Sequence, residues 1–242
     1  MTDMKTAVVT GGSAGIGAAI TKQLLADGYR VISLARRPAD FDHDNLVSYE
    51  IDLADMAETK RIAEEIAAKY EVTVLVNNAG VIRPNLIEDV KLEDLNYLTN
   101  LHLGAMILLT QAFLPAMKKN HFGRIVNMST RAVVGLATRT SYAGTKAAII
   151  SMTRTWAMEL GHHGITVNAI APGPIVTDMF TEVIPEESEK AKALAESIPV
   201  KRLGQADDIA RATAFFVNPD NSFITGQTLF VCGGTSLGSI AL

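Results

Sequence analysis

Thr6-Ala7-Val8-Val9-Thr10-Gly11-Gly12-Ser13-Ala14-Gly15-Ile16-Gly17 stands near the start of the chain. Apolar and β-branched residues run straight into a turn rich in glycine, and an amphipathic run over residues 18–26 follows. Strand, glycine turn and helix in that order make a phosphate cradle. Glycine lets the backbone approach a pyrophosphate, and the positive N-terminus of the helix receives the charge. The spacing is Thr-Gly-x-x-x-Gly-x-Gly, not the commoner Gly-x-Gly-x-x-Gly.

Beyond that turn, apolar strand-like runs recur at 30–35, 47–51, 72–76, 124–129, 164–170 and 227–231, separated by helical patterns. Asp55-Met56-Ala57-Glu58 reads as a capping box opening the helix that runs to about Tyr70. Strand and helix in alternation predict an α/β fold: a doubly wound parallel sheet, Rossmann-like, with helices on both faces. At 242 residues with no linker, repeat or low-complexity segment, residues 1–242 form one domain. The polar segment at about 177–199 reads as a lid over a substrate. The run 104–114, and again 147–160, is apolar almost all round, which calls for cover on the outward side by another copy of the chain.

A net charge of -4 gives no electrostatic reason to expect nucleic acid or an anionic membrane as partner. Cys232 is the only cysteine, and the five histidines show no metal-ligand spacing, so neither a disulfide nor a metal site is expected. The chain starts directly on its first strand, and no 18-residue apolar run suggests a membrane span. A cytoplasmic protein is the expectation.

Ser141-Tyr142-Ala143-Gly144-Thr145-Lys146 supplies chemistry. Tyr142 and Lys146 are four apart, on one face of a helix, so a phenol sits beside an ammonium. That cation is expected to pull the phenol below its ordinary pKa of ~10, towards exchange of protons at neutral pH. Ser129, at the end of the run 124–129, could place a hydroxyl beside it. Asn77-Asn78-Ala79-Gly80 ends the fourth strand, where open α/β sheets bind ligands. Arg36-Arg37 ends the second strand, where an acid would hold a ribose 2′-hydroxyl. Arginine there suits a 2′-phosphate, so NADPH/NADP+ is expected over NADH.

Over nearly its whole length the chain resembles the short-chain dehydrogenase/reductases. The resemblance rests on Thr10-Gly11-x-x-x-Gly15-x-Gly17, Asp52, Asn77-Asn78-Ala79-Gly80, Asn100, Ser129, Tyr142-x-x-x-Lys146 and Pro172-Gly173, in the family's order. It implies Tyr142 as proton donor or acceptor and Ser129 as holder of the substrate oxygen. Lys146 would bind the nicotinamide ribose, and Asn100 would support a relay water. Asn100 as an ordinary mid-helix residue and Ser129 as a strand-end cap are the plainer readings. For the cofactor it implies Gly11, Ser13, Gly15, Ile16 and Gly17 at the pyrophosphate and Leu53 near the adenine, while Asp52 either contacts the adenine or simply supports its own turn. Asn78, Ala79 and Gly80 at the sheet edge, with Pro172, Gly173, Ile175 and Thr177 beyond the sixth strand, complete that set.

The pattern is most similar to the 3-oxoacyl-carrier-protein reductase branch, including Asn218-Pro219 and Ile224-Thr225-Gly226-Gln227. An acyl thioester or free ketone is the implied substrate, and a homo-oligomer, a tetramer by resemblance, the implied assembly. His162-His163 and Asn120-His121 stand where a carrier-docking enzyme would have basic residues, with Lys118 and Lys119 as substitutes. Arg83 and Arg131 either grip a substrate anion or form ion pairs. Two other functions compete: oxidation of a secondary alcohol such as a sugar or cyclic alcohol, and a non-catalytic nucleotide sensor. A sensor should lack part of the Ser/Tyr/Lys set, and none is missing. An enoyl reductase of related fold should have a wider Tyr-to-Lys spacing.

Overall fold

The computed structural model describes residues 4–182, 184–185 and 187–237. Val183 and Glu186 of the expected lid therefore lie outside the described residues. Seven parallel strands form one sheet: β1 (Thr6–Thr10), β2 (Arg30–Ala35), β3 (Leu46–Glu50), β4 (Val72–Asn77), β5 (Gly123–Met128), β6 (Ile165–Pro172) and β7 (Thr228–Val231). Their order is β3-β2-β1-β4-β5-β6-β7. The chain winds outward from β1, then returns to start again at β4 on its other side. That reversal opens a crevice beyond the carboxyl ends of β1 and β4, where the cofactor of such a sheet binds.

Period-two alternation sends the strand side chains to two cores. Ala7 and Val9 join Ile20, Leu24, Ile209 and Phe216 under α1 (Gly15–Ala26) and α8 (Ala206–Val217). Val8, between them, joins Ile66, Leu109 and Phe113 on the opposite face, under α2 (Met56–Lys69), α4 (Ala105–Lys119) and α5 (Thr140–Leu160). Leu109 and Phe113 are buried completely or nearly so, each contributing about 1.5–3 kcal/mol. The remaining helices are α3 (Leu92–Thr99), α6 (Asp178–Thr181) and α7 (Glu189–Ser197), the last two inside the expected lid.

Asp55 caps α2 as expected, accepting from Ala57 and Glu58 N–H, and the helix ends at Lys69. Two other expectations change. The run 92–119 is one helix long and apolar enough to cross a membrane by length and composition, contrary to the sequence reading. Its inner side is a core face: Leu98, Ala105, Met106, Leu109, Phe113 and Met117 are buried among the described residues. The all-round apolarity of α4 is answered in part by α2, which packs along it. What remains outward is narrow: Ile107 and Pro115 on α4, and Met158 among polar Arg154, Thr155 and Glu159 on α5, are exposed.

Candidate active site

The glycine turn is locked to the end of β4 by Thr10. Its Oγ1 accepts from the N–H of Asn78 and of Ala79, both at 2.9 Å, and donates to Val76 O at 3.4 Å. Asn78 Nδ2 returns a bond to Thr10 O at 2.9 Å. Helix α1 starts tight against this turn. A Cβ on Gly17 would sit 1.9 Å from Gly11 O, so no side chain fits there. No side chain caps α1, and no acid lies in its first turn. Its positive end is left for an anion. Ser13 is buried in the turn and Ile16 half-buried, while Thr177 closes over it, its methyl 3.3 Å from where a Gly15 Cβ would be.

Asp52 and Leu53 follow β3. Asp52 is exposed and braces its own turn through Ala54 N–H at 3.0 Å, and Tyr97 Oη approaches both its oxygens at 3.4 Å. Leu53 is buried, its side chain in the core. Arg36 and Arg37 are exposed at the end of β2. Arg37 pairs with Asp178 at 3.3 Å, tying the strand end to the start of α6. Arg36 is near enough to Tyr97 for its charge to act on that phenol. Pro172 ends β6, Gly173 packs on Cys232, and Ile175 bridges to Gly204, which completes the rim.

Ser129, Tyr142 and Lys146 do converge. Ser129 follows β5 and is buried, its Oγ donating to Lys146 O at 2.9 Å. Holding a substrate oxygen requires that hydroxyl to rotate off this carbonyl. Lys146 is also buried, and its Nζ donates to Met128 O at 2.7 Å. Nζ lies 6.0 Å from the centre of the Tyr142 ring.

The charge states differ from the expectation. Burial pushes the Lys146 amine down to about 7. Burial raises the Tyr142 phenol, offset in part by the Thr130 side chain and the Arg139 charge, rather than the lysine lowering it. At neutral pH the phenol is therefore protonated.

Asn100 begins a π-helical turn, Asn100–Gly104, and is exposed. His102 is the residue that turns inward: it is 3% exposed, and its ring meets that of Tyr142 edge-on at 5.8 Å. A Cβ on Gly80 would lie 3.0 Å from His102 Nε2 and 3.3 Å from Lys146 Nζ, so these two side chains meet the sheet edge closely at Gly80. The sequence held a signal for His102. It stands four residues after buried Leu98 and seven before buried Leu109, on the inner face of the helix.

The matching family model is described as Enoyl-(Acyl carrier protein) reductase and covers residues 11–236. The 3-oxoacyl-acyl-carrier-protein reductase FabG of Salmonella typhimurium is 38% identical, over 95% of this chain and 96% of its own length. The chain belongs to the short-chain dehydrogenase/reductase family. It is an oxidoreductase of that family, similar also to BbsD of Thauera aromatica, a subunit of hydroxy(phenyl)methyl-succinyl-CoA dehydrogenase, at 35% identity over 96% of this chain and 97% of the other. The solved structure of ElxO with NADP bound superposes with a TM-score of 0.87 at 30% identity, covering 97% of this chain and 99% of that one.

Against this family background the outlying residues take plain roles. Arg131 Nε donates to Thr235 O at 3.1 Å, anchoring the tail, and Arg83 pairs with Asp94 at 3.5 Å and lies over Tyr97. Lys119 and Asn120 both bind Glu71. These two, with His121 and His162-His163, precede β5 and β6, at the sheet edge opposite the glycine turn. They do not face the catalytic mouth of their own chain.

Proposed function

We propose that this short-chain dehydrogenase/reductase reduces a ketone or 3-oxoacyl thioester to a secondary alcohol, using NADPH. The observation that carries the reading is a buried Ser129 and Lys146 with a half-buried Tyr142, beside a glycine cradle at the switch point of the sheet. The cradle fits a dinucleotide: Gly17 leaves room no other residue would, and α1 offers uncapped N–H groups. Bound NADPH supplies the hydride. Gly11, Ser13, Gly15 and Ile16 would hold its pyrophosphate, Asn78 to Gly80 and Lys146 its nicotinamide ribose. Arg36, with Arg37, would clamp a 2′-phosphate.

As the carbonyl carbon is reduced, its oxygen gains charge, and Ser129 Oγ donates to it once rotated from Lys146 O. Tyr142 is held protonated by burial at neutral pH, so it stands ready to give that oxygen its proton. A protonated resting phenol suits reduction. Leu86, Ile87, Val134 and Leu136 are exposed, and Asn85 pairs with Arg139 to bring their two loops together. This apolar rim suits an acyl chain, as does the likeness to FabG. Oxidation of a secondary alcohol is the second reading, supported by the likeness to BbsD. The same residues run that reaction once the phenol is ionised.

Assays of acetoacetyl-CoA, cyclic ketones and sugars with NADPH and NADH, each in both directions, separate these readings. NADPH consumption with the thioester or a ketone is the expected result. Turnover confined to alcohol oxidation overturns the preferred direction.

A further inference from the structure

The hydrogen-bonding arrangement around His102 favours one tautomer. Its Nδ1 lies 2.9 Å from Thr145 Oγ1. That hydroxyl also lies 3.1 Å from Ser141 O and 3.0 Å from Tyr142 O, which only accept. A hydroxyl has one proton. Given to a carbonyl of its own helix, it leaves Thr145 able only to accept from His102, so Nδ1 carries the ring proton and Nε2 is bare. The opposite tautomer would aim a buried N–H, without an acceptor, towards an ammonium.

Nε2 is buried and has no partner among the described residues. It and Lys146 Nζ both border the same point above Gly80. Next to them is a cavity of about 10 Å³, lined by Thr10, Asn77, Ala79, His102 and Lys146 among others. That is room for one water, and the walls are polar on the side of the two nitrogens. Lys146 has three donors, and Met128 O takes one.

We propose that His102 is a positioning residue for Lys146: its bare Nε2 shares a single buried water with Nζ, and so keeps the lysine charged beside Tyr142. This rests on the reading of Tyr142 as the acid. Tyr142 gives its proton to the product oxygen and becomes phenolate, and the Lys146 ammonium is the charge that steadies it. Removing the acceptor strips the ammonium of a partner in a buried site, and the lysine then loses its proton at lower pH. The titratable groups facing His102 are Lys146 and Tyr142, both on α5, and Arg139 acts on Tyr142 from the same helix start. Burial first, then the Lys146 charge, push the imidazole down to about 2, which keeps it neutral and an acceptor.

Two measurements test this. Long-range proton-nitrogen correlation NMR of the unmodified protein, without cofactor, should show His102 protonated on Nδ1, bare on Nε2 and not titrating from pH 5 to pH 8. A proton on Nε2, or titration near the ordinary histidine value, overturns the proposal whatever the enzyme does. In turnover, His102→Leu should lose roughly tenfold in kcat at pH 8 and less at pH 6. KM should change little, and His102→Asn should restore part of the loss. A loss equal at every pH, or no recovery with asparagine, refutes the positioning role. Failure of the Tyr142 reading is distinguishable, because only that failure leaves Tyr142→Phe active.

Discussion

Replacing Lys146 with methionine removes a buried ammonium and should change how stability depends on pH. Burial depresses the amine from its ordinary 10.5 to about 7. Below about pH 7 folded and unfolded chains both hold the proton, so stability does not depend on it. Between about 7 and 10.5 only the unfolded chain holds it, and the wild type gains stability as pH rises. Each unit is worth about 1.4 kcal/mol, so wild type minus Lys146→Met should grow by about 3 kcal/mol from pH 7 to pH 9.5. Tyr29, Tyr97 and Tyr142 have raised pKa values, and their effects begin above that range and cancel in the difference. Urea unfolding of both proteins at pH 6.5, 8 and 9.5 reads this directly. Curves that stay parallel to within about 1 kcal/mol would refute the depressed amine.

Arg36→Ala should cost roughly tenfold to hundredfold in catalytic efficiency with NADPH and little with NADH, and equal losses would remove the phosphate clamp. Residues 177–182 and 187–199 should gain hydrogen-exchange protection when cofactor and substrate bind, and unchanged protection would end the lid reading. Light scattering at micromolar concentration should find a homo-oligomer, a tetramer by family likeness, and a monomer would contradict the apolar-face reasoning.

The sheet was legible because its inner parallel strands, buried on both faces, read as apolar runs, and because the glycine turn has no other economical use. The positions of Ser129, Tyr142 and Lys146 were legible too, from strand end and helical spacing. Their electrostatics were not. An i, i+4 pair predicts a lysine lowering a tyrosine, but sequence does not show depth, and in the folded chain burial is the first cause acting on each group. Asn100 was named through the family resemblance, whereas helical phase puts His102 on the inner face, and the fold buries His102 and leaves Asn100 exposed. Arg131 was open between a substrate anion and a structural contact, and its partner is a carbonyl of the tail 104 residues away, beyond any local pattern.

The central claim is that Tyr142 is the proton donor of a carbonyl reductase. Stopped-flow decay of nicotinamide absorbance, in wild type and Tyr142→Phe saturated with NADPH and acetoacetyl-CoA, tests it most directly. The substitution deletes the proton and little volume, so cofactor affinity should hold while turnover falls by about 100-fold to 10,000-fold. A variant that binds NADPH normally and keeps more than about a third of wild-type turnover would contradict the assignment.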